Sequence, residues 1–137
     1  MDICVIGTGY VGLVTGICMA EIGNNVVCVD NVKEKIKKLT TGESTIYEHG
    51  VKELLKKNID DNRLSFTADI SEAINESEII YICVGTPSLF NGQANLNFVE
   101  DVAIEIGKYI NSKKIIVNKS TVPIGSGDWV SMIISES

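Results

Sequence analysis

Apolar residues in this chain gather into short unbroken runs. Met1–Ile6, Val26–Val29, Glu78–Val84 and Lys113–Asn118 each hold such a run, and Leu64-Ser65-Phe66-Thr67 is a further short strand. A strand that is apolar at successive positions is covered on both faces, which predicts a parallel sheet. Between the runs lie stretches with helical spacing. A small-residue apolar stretch (Leu13, Val14, Gly16, Ile17, Met19, Ala20) stops at Gly23, and Val32, Ile36 and Leu39 form a stripe that Thr40-Thr41-Gly42 ends. Val51, Leu54 and Leu55 mark a short amphipathic helix to Lys57, and Asp69 is placed to cap a helix through Ile74. Asn95 is the expected N-cap of a helix from Leu96 to Ile110, with Val99, Val102, Ile106 and Tyr109 on its apolar stripe, and a last helix runs from Asp128 towards Ile134. Glu43–Gly50 and Ser88–Asn95 are polar loops, the second with Asn91-Gly92 at its tip. Strands alternating with helices predict an α/β, doubly wound parallel sheet. Only five strands are found before Ser137, so the sheet is expected to be truncated before a sixth.

The first strand runs into Gly7-Thr8-Gly9-Tyr10-Val11-Gly12, a G-x-G-x-x-G, then a helix, then a second strand ending in Asp30. This is the order of a Rossmann-like dinucleotide site, and each part has a physical task. Gly7 takes the tight turn, Gly9 keeps a side chain away from a pyrophosphate, and Gly12 lets the helix pack closely on the sheet. The pyrophosphate would rest on the free N–H groups and positive end of the helix. Asp30 is placed to accept from a ribose diol, and its charge disfavours a 2′-phosphate, so NAD is expected rather than NADP. A Rossmann-like domain for another adenosine ligand, such as S-adenosylmethionine, is the plainer alternative. In open parallel sheets the ligand lies beyond the carboxyl ends of the strands, which selects Gly7–Gly12, Asp30, Val84–Pro87 and Lys119–Pro123.

Composition narrows the partners. At 137 residues the chain is one domain by size, and 45% hydrophobic content is ordinary for a soluble protein. A net charge of −6 without a basic patch argues against nucleic acid and against an anionic membrane surface. Even Lys33–Lys38 includes Glu34 and reads as a solvated helix face. No run reaches bilayer length, and a strand at the very start leaves no room for a signal peptide, so a cytoplasmic location is expected. Cys4, Cys18, Cys28 and Cys83 have no metal-ligand spacing, and no metal is expected. Three of them fall in predicted strands and Cys18 in the first helix, where each is expected to be a buried, unreactive thiol.

Ile6-Gly7-Thr8-Gly9-Tyr10-Val11-Gly12-Leu13-Val14, Val29-Asp30, Ile46-Tyr47-Glu48, Val84-Gly85-Thr86-Pro87 and Lys119-Ser120-Thr121-Val122-Pro123 occur in this order. Together they resemble the N-terminal NAD-binding domain of the UDP-glucose 6-dehydrogenases, in the UDP-glucose/GDP-mannose dehydrogenase family. The resemblance covers residues 1–137, with the family's central helix and sugar-nucleotide-binding domain falling beyond them. It implies oxidation of UDP-glucose to UDP-glucuronate with two NAD, a nucleotide-sugar substrate held by the missing domains, and a homo-oligomeric full-length protein. GDP-mannose or UDP-N-acetylmannosamine relatives are the alternatives. By resemblance, Gly7, Gly9, Tyr10, Val11 and Gly12 form the pyrophosphate loop. Asp30 is the ribose acid and Lys35 a basic residue beside it. Val84, Gly85, Thr86 and Pro87 run along the cofactor, and Ser120 and Thr121 lie near the nicotinamide. Thr121 is the one catalytic candidate, its hydroxyl positioning a water or the substrate C6 oxygen. The family's catalytic cysteine, lysine and asparagine belong to later domains, so the fragment is expected to bind NAD without turnover.

Two departures stand out. His49 follows Ile46-Tyr47-Glu48 where the family has proline, and is expected to be exposed and incidental; Asn95 replaces an aspartate. The competing reading is a free-standing NAD-sensing module without chemistry of its own.

Overall fold

Five parallel strands form a single sheet in the order β3-β2-β1-β4-β5. The computed structural model describes residues 1–137. Its elements run β1 (Asp2–Ile6), α1 (Tyr10–Glu21), β2 (Asn25–Val29), α2 (Lys33–Thr40), α3 (Val51–Asp60) and β3 (Leu64–Thr67). They continue with α4 (Ile70–Glu76), β4 (Ile79–Ile82), α5 (Asn97–Tyr109), β5 (Ile115–Asn118) and α6 (Ser126–Glu136).

The winding is double because successive strand residues feed two different cores. Ile3 and Val5 of β1 join Leu13 and Ile17 of α1, Leu39 of α2 and Val51 and Leu55 of α3. Cys4 and Ile6 of the same strand join Ala73 and Ile74 of α4, Val99 and Ile106 of α5 and Val130 of α6. The central strand is thus buried on both sides, as its unbroken apolar run requires. The register pairs Ile6 with Val29 and with Ile82, so β1, β2 and β4 end level and their following loops share one edge.

Helix boundaries follow local chemistry. α1 stops where Gly23 turns at φ +100° and donates to the Ala20 carbonyl. The Asp69 carboxylate accepts from the N–H groups of Ser71 and Glu72, the expected cap of α4. At α5 the expected cap is displaced: Leu96 is the N-cap residue, and the Asn95 side chain instead accepts from the N–H of Asn97. β4 is shorter than its apolar run, ending at Ile82, so Cys83 and Val84 belong to the loop that crosses beneath Gly7. α3 extends to Asp60, and α6 begins two residues before Asp128.

The expectation of four buried thiols fails at Cys18, which is exposed on α1, while Cys4, Cys28 and Cys83 are buried. α1 is apolar or small on every side, so the sequence carries no amphipathic signal to show which face is outward. Burial pushes the Cys4 thiol up to about 12 and Cys83 to about 11, and raises Cys28 further. A thiolate is the reactive form. One thiol equivalent, Cys18, is therefore expected to react quickly with a disulfide reagent in native protein, the other three only on unfolding. Absorbance of the released thiol counts them, and a Cys18→Ser variant should show none.

Candidate functional site

The loops at the level carboxyl edge of the sheet enclose a groove of about 590 Å³. Its floor is Ile6, Gly7, Thr8 and Gly9 between β1 and α1. One wall is Val29, Asp30, Asn31, Val32 and Lys35, and the other is Cys83, Val84 and Gly85 with one face of α5. A smaller cavity of about 360 Å³, lined by Asp2, Asn25, Asn62 and Ser77 among others, lies at the opposite end of the strands.

The three motif glycines differ in what they permit. Gly7 has φ +101°, and a Cβ there would come 2.5 Å from the Cys83 carbonyl oxygen. At Gly12 a Cβ would strike the Gly7 carbonyl and lie 3.1 Å from the Cys83 Cβ. Both are packing glycines that bring the start of α1, the loop before it and the loop after β4 together. Gly9 is different: it has ordinary extended backbone (φ −73°, ψ −168°), and a Cβ built on it meets nothing within 4 Å. The position faces open groove.

Gly9 is also the N-cap of α1, and it offers no side chain to the helix end. The N–H groups of Gly9, Tyr10, Val11 and Gly12 donate to no protein acceptor, and the first turn carries no acidic residue. Free amides at the positive end of a helix form a seat for an anion. Tyr10 and Val11 are 59% and 51% exposed on that first turn, so their backbone rather than a side-chain pocket supplies the donors.

Asp30 follows the last residue of β2 and is 8% exposed. Its Oδ2 accepts from the Thr8 hydroxyl at 2.6 Å, the Thr8 N–H at 3.0 Å and the Lys35 ammonium at 3.3 Å. Its Oδ1 accepts only from the Val32 N–H, at 2.9 Å. Burial pushes the Asp30 carboxyl up, but the Thr8 hydroxyl, the Val32 and Thr8 amides and the Lys35 ammonium outweigh it and leave it below the ordinary carboxylate value. The group is an anion at neutral pH with acceptor capacity left on Oδ1.

The groove brings together Gly7, Gly9, Asp30, Lys35, Val84 and Gly85 of the residues that the sequence nominated. Gly12 lies buried beneath them. Thr86, Pro87, Ser120 and Thr121 do not line it; they lie on the loops after β4 and β5. The Thr86 hydroxyl donates to the Thr121 carbonyl at 2.9 Å, and the Ser120 hydroxyl to the Val84 carbonyl at 2.9 Å. These hydroxyls join the two loops, and the Thr121 side chain is exposed beside them. His49 is exposed in the loop between α2 and α3 and contributes nothing to the groove.

Several lining residues escaped the sequence reading: Thr8, Val32, Ala68 and Ile70, and Phe98, Asp101 and Glu105 on α5. The α5 residues had a signal. Positions 98, 101 and 105 form a row at helical spacing beside the core stripe of Val99, Val102 and Ile106.

A parallel sheet whose carboxyl edge carries an uncapped glycine-lined helix start, beside a buried carboxylate at the end of the next strand, defines a dinucleotide-binding domain. The comparisons with known proteins agree. Residues 1–137 match the NAD binding domain of the UDP-glucose/GDP-mannose dehydrogenase family. The chain is 53% identical over 135 residues to the UDP-glucose 6-dehydrogenase TuaD of Bacillus subtilis, covering 98% of this chain and 29% of that protein. It is 46% identical over 134 residues to a UDP-glucose 6-dehydrogenase of Pseudomonas aeruginosa, covering 98% of this chain and 30% of the relative. A solved ternary complex of GDP-mannose dehydrogenase from Pseudomonas aeruginosa superposes with a TM-score of 0.95 at 38% identity, covering 99% of this chain and 32% of that one. The chain belongs to the UDP-glucose/GDP-mannose dehydrogenase family, as its NAD-binding domain. It spans under a third of the length of the curated relatives it matches.

The residues present fit NAD. The open space over Gly9 leaves room for an approaching group, the free amides would suit the charge of a pyrophosphate, and the Asp30 carboxylate would suit a ribose diol and repel a 2′-phosphate. No helix is long and apolar enough to cross a membrane.

Proposed function

We propose that this chain is the cofactor-binding part of a cytoplasmic, homo-oligomeric UDP-glucose 6-dehydrogenase that oxidises UDP-glucose to UDP-glucuronate with two NAD. The observation that carries the reading is the open position over Gly9 at the bare start of α1, beside the Asp30 carboxylate. The relatives named UDP-glucose 6-dehydrogenase support that sugar over GDP-mannose.

In this reading the amides of Gly9, Tyr10, Val11 and Gly12 hold the pyrophosphate, and Gly7 keeps the turn that presents them. Asp30 holds the adenosine ribose, with Lys35 beside it. Val84 and Gly85 line the path of the cofactor, Thr86 and Ser120 hold the two loops at its nicotinamide end, and Pro87 continues the path along the first of them. Thr121, exposed at that junction, orients a water or the substrate C6 oxygen by hydrogen bonding. Bound NAD supplies a hydride acceptor. Hydride transfer from an alcohol also needs a base for the hydroxyl proton, and the second oxidation needs a thiolate. A threonine hydroxyl serves as neither, and the buried thiols of Cys4, Cys28 and Cys83 are held protonated. Those groups, and the binding of the nucleotide sugar, are assigned to the remainder of the protein.

NAD added to the purified chain should give a saturable calorimetric titration, and UDP-glucose with NAD should give no rise in NADH absorbance. Turnover by the chain alone, abolished by Cys83→Ser or His49→Ala, would show that it carries catalytic groups of its own. No heat with NAD would remove the cofactor assignment.

A further inference from the structure

Thr8 occupies the first variable position of the glycine motif, where no side chain is required for a pyrophosphate. Yet it is 1% exposed, and its hydroxyl makes the shortest of the four hydrogen bonds to the Asp30 carboxylate. Its N–H bonds the same oxygen. We propose that Thr8 is a positioning residue for NAD: it clamps Oδ2 of Asp30 from two sides and so aims Oδ1 at the ribose diol.

The geometry separates the two carboxylate oxygens. Oδ2 carries both Thr8 donors and Lys35, whereas Oδ1 carries the Val32 amide alone. With three donors on Oδ2 and one on Oδ1 the carboxylate cannot rotate freely about its terminal bond, so Oδ1, the less occupied oxygen, stays where a ribose hydroxyl can reach it. Preorganisation of this kind raises affinity by removing the ordering cost from binding. Thr8 also lies between Gly7 and Gly9. The same residue therefore fixes the distance between the amides over the phosphate seat and the carboxylate over the ribose seat. Without its hydroxyl, Oδ2 keeps only the Thr8 amide and the half-buried Lys35 at 3.3 Å, and the carboxylate is held less firmly.

This inference rests on the NAD reading above, and the test separates the two. Calorimetric titrations compare NAD with its analogue lacking the 2′-hydroxyl of the adenosine ribose, on the parent chain and on Thr8→Val, Thr8→Ser and Thr8→Ala. Parent binding of NAD, with weaker binding of the analogue, establishes the ribose contact. Thr8→Val is expected to weaken NAD by about tenfold, the scale of a hydrogen bond to a charged group. The analogue should lose much less, and Thr8→Ser should restore NAD binding. Thr8→Ala gives the same comparison if the valine form does not fold. Equal losses for NAD and the analogue would mean that Thr8 only supports the loop, and no loss would mean that it has no part in binding; either overturns the proposal while leaving the NAD reading standing. Failure of the parent to bind NAD would overturn both.

Discussion

Gly9→Val is expected to abolish NAD binding, by more than about a hundredfold in affinity, while leaving the fold intact. The fold is safe because Gly9 has extended backbone that any residue adopts, and a Cβ there meets no protein atom within 4 Å. On the proposed placement of NAD, binding is lost because the open space that spares the fold is the space that the pyrophosphate needs. The branched side chain would stand over the free amides of α1 and hold an anion out of hydrogen-bond reach. Gly12→Ala provides the contrast. Its Cβ would strike the Gly7 carbonyl, a backbone atom with no room to retreat, so this variant is expected to lose about 1–3 kcal/mol of stability. Urea denaturation and NAD calorimetry on both variants separate a blocked site from a damaged core. A Gly9→Val chain that still bound NAD would place the pyrophosphate elsewhere.

The second large effect is expected at Asp30. Asp30→Ala should weaken NAD by about tenfold to a hundredfold, the worth of charged hydrogen bonds at a partly buried site. NADP should gain relative to NAD by a similar factor. The carboxylate now neutralises Lys35 and occupies the donors of Thr8 and Val32. Its removal leaves an ammonium, a hydroxyl and two amides with no anion between them, a donor set suited to a 2′-phosphate. Titration of the variant with NAD and NADP in parallel reads the ratio directly. Unchanged NAD affinity would show that the ribose does not lie at Asp30.

Much of this was legible along the chain, for reasons that lie in particular residues. Val26–Val29 and Ile3–Ile6 read as strands because both of their faces are covered, so no polar position interrupts them. Asp69 was recognisable as a cap because it acts on residues two and three positions away. The contact of Thr8 with Asp30 spans 22 positions, and no local spacing encodes it. The β4 boundary was misread for a related reason. Cys83 and Val84 are as apolar as the strand, but the strand pairing ends at Ile82 and the two residues pass close beneath Gly7, a tertiary approach that their apolar character does not encode. Cys18 was misplaced because α1 has no polar face to orient it. The loops after β4 and β5 were found by motif, yet their joining through Thr86 and Ser120 is tertiary and emerges only from the fold.

The central claim is that NAD lies across the carboxyl edge of the sheet, with its phosphates on the start of α1 and its adenosine ribose on Asp30. The most direct measurement is a titration of the nitrogen-15-labelled chain with NAD, followed by amide shifts. The account predicts saturable shifts at Gly7, Gly9, Gly12 and Asp30, with Asn25, Asn62 and Ser77 around the opposite cavity unmoved. Shifts confined to that opposite end, or none at the motif glycines under saturating NAD, would contradict it.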